Sequence, residues 1–262
     1  MNISGPNMPE AIPDELAGRI AIVTGAGRGM GRAVATRLAK AGASVAVNDL
    51  APDTAADTTE SIIADGGNAI TIAGDVSNSA FVDSLVDRAV SEFGHINILA
   101  NAAGILRRTA VIDMDEDEWD LVLNVNLKGT FLPSKAVLRS MRQSGWGRIV
   151  NFSSTAGKTT STLGGAHYTA SKHAVLGLTR HMAMEEAEHS ITVNAICPGL
   201  IDTEMVQQEV DDDLLKRYIG SFPIHRLGEP SEAAELVAFL ASDRAAYITG
   251  QGFDISGGDL MV

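Results

Sequence analysis

The chain has 262 residues, with 33 Asp and Glu against 20 Lys and Arg, and a formal net charge of −13. Such acidity disfavours nucleic acid and anionic membrane surfaces as partners, and the lone Cys197 excludes an intrachain disulfide or a cysteine-based metal site. No apolar run reaches the length of about eighteen residues needed to span a bilayer, and no signal-peptide core is evident, so the expectation is a cytoplasmic protein.

Residues 1–16, which include Pro6, Pro9 and Pro13, read as a flexible tail ahead of one domain at 17–262. Arg19–Thr24 is a short apolar run rich in β-branched residues, as a strand buried on both faces requires. It leads into Thr24-Gly25-Ala26-Gly27-Arg28-Gly29-Met30-Gly31 and a helix to about Ala41. A second run, Ala43–Val47, ends at Asn48-Asp49 and completes a β-α-β unit whose first turn can offer helix N-terminal amides to a pyrophosphate. Strands are expected at Asn68–Ala73, Ile96–Ala100, Arg148–Phe152, Ile191–Ile196 and Gly252–Ile255. Helices are expected at Ala80–Phe93, from Asp115 onward, at Ala166–Ala187, around Asp211–Ile219 and at Ser231–Ala241. Asp115 and Glu118 have capping-box spacing, and Pro133 should kink or break its helix. The alternation predicts a single α/β domain: a Rossmann-type, doubly wound sheet of about seven parallel strands with helices on both faces.

Tyr168 and Lys172 lie four residues apart on the Ala166–Ala187 helix, so they share a face. A phenol with a reference pKa near 10 needs roughly 4 kcal/mol in favour of its phenolate to act near neutrality. An ammonium about 4 Å away, at an effective dielectric near 20, supplies about that much. In open parallel sheets ligands bind beyond the carboxyl ends of the strands. The glycine turn, Asp49, Asp75, Asn101, Ser154 and Pro198-Gly199 all fall at such ends.

Together TGAGRGMG at 24–31, Asp75-Val76, NAAG at 101–104, Asn126 within VNLKG, Ser154, YTASK at 168–172 and Pro198-Gly199 resemble the short-chain dehydrogenase/reductase family over residues 17–258. Ala102 departs from the pattern, since the family usually carries a second Asn there. The resemblance implies that Tyr168 exchanges a proton with the substrate oxygen and that Lys172 lowers its pKa and holds the nicotinamide ribose. It implies that Ser154, or else its neighbour Ser153, hydrogen-bonds the reacting oxygen, with Ser154 favoured, and that Asn126 anchors a water linking Lys172 to solvent. The same resemblance assigns Gly25, Arg28, Gly29, Met30 and Gly31 to the phosphate turn and Asp75 and Val76 to the adenine. Asn101, Ala102 and Gly104 would pass beneath the adenine ribose. Pro198, Ile201 and Thr203 would border the carboxamide and neighbouring phosphate, under a substrate lid at about 200–228. A homotetramer is also implied.

Asp49, at the end of the second strand, can accept from both adenosine ribose hydroxyls and would repel a 2′-phosphate, which favours NAD over NADP; Arg28 argues the other way. No His, Asp or Glu cluster has metal-ligand spacing, so no metal is expected. The leading reading is an NAD-dependent oxidoreductase interconverting a small secondary alcohol and its ketone. One alternative is an NADPH-dependent 3-oxoacyl-carrier-protein reductase, although acidic carriers would be repelled by a −13 chain. The other is a non-catalytic dinucleotide-sensing protein, which should lack one of Ser154, Tyr168 and Lys172. Arg107, Arg108, Lys158 and His167 in the bordering loops suggest an anionic substrate, with Arg107 and Lys158 binding it.

Overall fold

The computed structural model describes residues 14–209 and 212–262. Its strands are β1 (Ile20–Thr24), β2 (Ser44–Val47), β3 (Asn68–Thr71), β4 (Ile98–Asn101), β5 (Gly147–Phe152), β6 (Ile191–Pro198) and β7 (Gly252–Ile255). They pair in the order β3-β2-β1-β4-β5-β6-β7, every pair parallel. The order reverses between β1 and β4, the switch point where a crevice opens at the carboxyl edge. Thr24 lies opposite Asn101, and Asn101 opposite Asn151, so the central strands end level with one another.

The helices are α1 (Gly29–Lys40), α2 (Pro52–Ala64), α3 (Ser79–Phe93), α4 (Glu116–Leu123), α5 (Gly129–Ser144), α6 (Ala166–Glu186), α7 (Glu204–Glu209), α8 (Asp212–Ser221) and α9 (Pro230–Leu240). Val34, Leu38, Ile62 and Val237 from α1, α2 and α9 pack on one face of the sheet. Leu85, Val137, Met141 and Met182 from α3, α5 and α6 pack on the other. Covered on both faces, β1 and β6 are buried along their whole length, which is why they read as unbroken apolar runs.

The start of the domain and helix α2 differ from expectation. Asp14 to Leu16, assigned to the tail, belong to the domain: Leu16 is buried and Glu15 accepts from Arg37 Nη2 at 3.0 Å. Arg37 Nε also donates to Glu235 Oε1 at 2.6 Å, so one buried guanidinium joins α1 to α9 across the whole sequence. Asp211, the expected start of the helix at 211–219, lies outside the described residues. Helix α2 gave no apolar stripe because its buried positions are Ala55, Thr58, Thr59 and Ile62. Its threonines are accommodated by back-bonding, Thr59 Oγ1 donating to the Ala55 carbonyl at 3.0 Å.

The helix expected from Asp115 is interrupted as Pro133 requires, but the irregularity is a π turn over Asn124–Lys128, before Gly129 and Pro133. That turn aims Asn126 at the loop after β4. Only half of the expected capping box forms. Asp115 Oδ1 accepts from Glu118 N at 2.7 Å, whereas the Glu118 carboxylate turns away to His167. Asp115→Ala is therefore expected to cost about 1 kcal/mol. Chemical denaturation should show a lower midpoint with an unchanged slope.

Candidate active site

A groove crosses the switch point at the ends of β1, β2 and β4, and a second cleft continues from it beneath α7 and α8. Met30, Thr203 and Met205 border both, so the two adjoin. The groove floor is built by close backbone approaches. A Cβ on Gly31 would strike the Gly25 carbonyl, and one on Gly25, whose φ is +61°, would lie 2.7 Å from Ala103 Cα. Helix α1 begins at Gly29 with no side-chain cap from Arg28 and no acidic residue in its first turn. Its first amides face the groove with a positive helix end, which suits a pyrophosphate.

Gly25, Arg28, Gly29, Met30 and Gly31 line this groove. So do Asp49, Asp75, Val76, Ala102, Gly104 and Thr203. Asp49 is fixed at the end of β2: Gly27 N donates to its Oδ2 at 2.9 Å and Ala51 N to its Oδ1 at 3.1 Å. Each oxygen keeps a lone pair for a further donor. Asn101 is placed differently from expectation. Its amide is buried, donating to Ser134 Oγ and Asn151 Oδ1 at 2.9 Å each, so it ties β4 to α5 and β5 and does not line the groove.

The second cleft encloses about 330 Å³. Ser154, Tyr168, Pro198 and Ile201 line it. Leu200, Met205, Val206, Tyr218 and Phe222 form an apolar wall. Thr159, Thr160, Ser161 and Thr162 supply a hydroxylated one. Among the described lining residues no side chain is cationic, and Asp259 is the one carboxylate, its pKa raised by desolvation. The expected basic rim is absent there. Lys158 Nζ donates to Asp254 Oδ2 at 2.8 Å and to the Gly252 carbonyl at 2.9 Å, so its charge is engaged at β7. Arg107 is exposed, outside the cleft lining, and donates to its neighbour's carbonyl, Leu106 O, at 2.9 Å. His167 is fully buried.

The neighbouring serines have different surroundings. Ser153 Oγ is buried and donates to the Lys172 carbonyl at 2.9 Å, while Ser154 faces the cleft and is hydrogen-bonded to the Tyr168 hydroxyl. Burial pushes the Tyr168 phenol up, and the Ser154 hydrogen bond opposes that shift. The spacing of Tyr168 and Lys172 predicts the opposite shift, with the ammonium lowering the phenol pKa. Instead Lys172 Nζ donates to the Phe152 carbonyl at 2.8 Å and lies 5.6 Å from the phenol ring centroid. Desolvation lowers its own pKa to about 8. Asn126 is also fully engaged. Ile105 N donates to its Oδ1 at 2.8 Å, and its Nδ2 donates to Ile105 O at 2.9 Å and Ser171 Oγ at 3.1 Å. This holds Gly104 against Lys172, where a Cβ would sit 3.5 Å from Nζ. Among the described residues no group of His, Cys, Asp and Glu is placed to hold a metal ion. Nor is any described helix long and apolar enough to cross a membrane.

The family model described as Enoyl-(Acyl carrier protein) reductase matches residues 25–259. A 3-oxoacyl-[acyl-carrier-protein] reductase of Synechocystis sp. is 42% identical over 248 residues, covering 94% of this chain and 98% of that protein. The crystal structure of a 3-oxoacyl-[acyl-carrier protein] reductase from Brucella melitensis superimposes with a TM-score of 0.92 at 36% identity, covering 100% of this chain and 99% of that one. Another from that organism, with bound NAD, superimposes with a TM-score of 0.89 at 35% identity and the same coverage. The chain belongs to the short-chain dehydrogenase/reductase family and is an oxidoreductase.

The buried Lys172 carries a stability consequence. Its fold holds the ammonium pKa near 8, against an ordinary 10.5, a penalty of about 3 kcal/mol on the charged form. Between those values the unfolded chain binds more protons than the fold, so this penalty is fully present below pH 8 and fades as pH rises toward 10.5. Lys172→Met should therefore unfold at higher denaturant than the parent at pH 7, and the gain should shrink in titrations carried toward pH 10.

Proposed function

We propose that this protein interconverts a 3-oxoacyl and a 3-hydroxyacyl thioester with a nicotinamide dinucleotide, NAD(H) in preference to NADP(H). The observation that carries the reading is the meeting of Ser154 and Tyr168 where a dinucleotide-shaped groove opens into an apolar-walled cleft. The names of the relatives move the reading from a small free secondary alcohol to the 3-oxoacyl group. The charge-free lining, Asp259 apart, suits an uncharged acyl chain better than the anionic substrate that Lys158 and Arg107 suggested. The small secondary alcohol remains the second reading, favoured by the net charge of −13, which repels an acidic carrier.

Gly25, Arg28, Gly29, Met30 and Gly31 would hold the pyrophosphate, Asp75 and Val76 the adenine, and Ile201 and Thr203 the nicotinamide end. A bound dinucleotide would supply or accept the hydride at the substrate carbon. Tyr168 and Ser154 donate hydrogen bonds to the substrate oxygen, which becomes negative as the carbonyl is reduced. A phenol is protonated near neutrality and burial raises its pKa further, so Tyr168 is placed as the acid that passes its proton to that oxygen. Lys172 holds positive charge beside the resulting phenolate. The Asn126 side chain is committed to Ile105 and Ser171, so it fixes the loop over Lys172, and any water it anchors must use its backbone. The carboxylate of Asp49 would accept from the adenosine ribose hydroxyls and would repel a 2′-phosphate; the relative with bound NAD supports this preference.

A steady-state assay with acetoacetyl thioester and simple ketones tests the reading. Reduction of the thioester should be faster with NADH than with NADPH in kcat/KM. Tyr168→Phe should lose roughly a thousandfold or more in kcat while still binding NADH. Turnover confined to simple alcohols and ketones would select the second reading, and preference for NADPH would overturn the role given to Asp49. We also propose a homotetramer built on the outer faces of α4, α5 and α6, where Trp119, Leu121, Phe131 and Met184 are exposed. Light scattering at micromolar concentration should return four chain masses, and a monomeric mass would exclude it.

A further inference from the structure

Tyr168 stands in the first turn of α6, a place where helices are poorly held. The cap residue is Gly165, which offers no side-chain acceptor. Nothing larger fits: a Cβ there would lie 2.6 Å from the Thr109 carbonyl, because the loop after β4 presses on this corner and Gly165 N donates to Arg107 O at 2.7 Å. The amides of the first turn thus lack the usual Ser, Thr, Asp or Asn partner. The imidazole of His167 takes over. Its Nδ1 accepts the Tyr168 amide at 2.8 Å, which places the ring hydrogen on Nε2, directed at Glu118 Oε1 2.9 Å away.

We propose that His167, seated on Glu118 of α4, is a positioning residue for Tyr168, holding the amide of that residue and with it the aim of the phenol. The inference rests on the reading in which Tyr168 transfers the proton. Three features make the pair a brace and not a surface contact. His167 is wholly buried, so its ring has no water to exchange partners with. Glu118 is held from another side by the Thr109 hydroxyl, and its pKa is lowered by that bond first and by His167 next. Its negative charge also lies at the positive end of α6. The Asn126 to Ser171 contact braces the next turn of the same helix, with Ser171 Oγ donating to the Tyr168 carbonyl at 2.8 Å. Lys172 belongs to that second turn and is anchored separately on Phe152. Losing the His167 brace should therefore disturb Tyr168 and spare Lys172.

Glu118→Ala, Glu118→Gln and His167→Phe separate this from a merely structural role. Glutamine keeps an oxygen for the Nε2 hydrogen, and phenylalanine fills the ring's space without an acceptor. In Glu118→Ala and His167→Phe, amide hydrogen exchange at Tyr168 should quicken by about tenfold or more while that at Lys172 holds. Their kcat should fall by about tenfold to a hundredfold with the Kd for NADH unchanged. Glu118→Gln should recover most of both losses. Unchanged exchange at Tyr168 in Glu118→Ala, a Gln variant no better than the Ala variant, or NADH affinity falling in step with kcat would each overturn the brace. If the parent protein turned over neither thioester nor alcohol, the functional reading would fall, while the exchange measurement would still decide the brace.

Discussion

A parallel sheet covered by helices on both faces leaves its chemistry only one place to go. Every strand interior is committed to packing, so polar side chains can face a ligand only where strands stop. The reversal of strand order between β1 and β4 opens the carboxyl edge at one point, and the groove lies there. Ser154 follows β5, Pro198 ends β6, and α6 brings Tyr168 to the same edge from one layer out. The site is a consequence of layer packing before it is a consequence of any motif.

That constraint explains what could be read from the sequence. Fully buried strands are short apolar runs, and all seven were visible, as were the glycine turn and the residues at strand ends. Direction was harder to read than position. Asn101 and Lys158 stand at the expected strand end and loop, yet Asn101 turns inward to Asn151 and Ser134, and Lys158 turns to Asp254. A residue's place in a strand or loop does not say which neighbour its side chain will find. Helix α2 escaped notice because hydroxyls paired to the backbone can occupy a buried face without making an apolar stripe. Glu118 was recognised as a capping residue by spacing alone, since its true partner lies 49 positions away in His167.

The energetics of Tyr168 and Lys172 correct a simpler electrostatic picture. Treating the pair as two charges at a fixed separation neglects what burial does to each. Desolvation raises the phenol and depresses the ammonium, so both groups are biased toward neutrality. A site that strains its ionisable groups in this way does so at a cost in stability. Ser154, which lines the cleft, opposes that shift on Tyr168.

The guanidinium of Arg37 bears on how the chain is made. It joins α1, which carries the glycine turn, to Glu235 of α9, 198 residues later, and α9 covers the same sheet face as α1. During synthesis from the N-terminus, the first β-α-β unit emerges with that face bare. Val34 and Leu38 acquire their partner Val237 only when nine-tenths of the polypeptide has left the ribosome. The glycine turn is thus among the first segments translated, while the helix that follows it is among the last to be covered. Until then the apolar face of α1 is a surface for chaperones to shield.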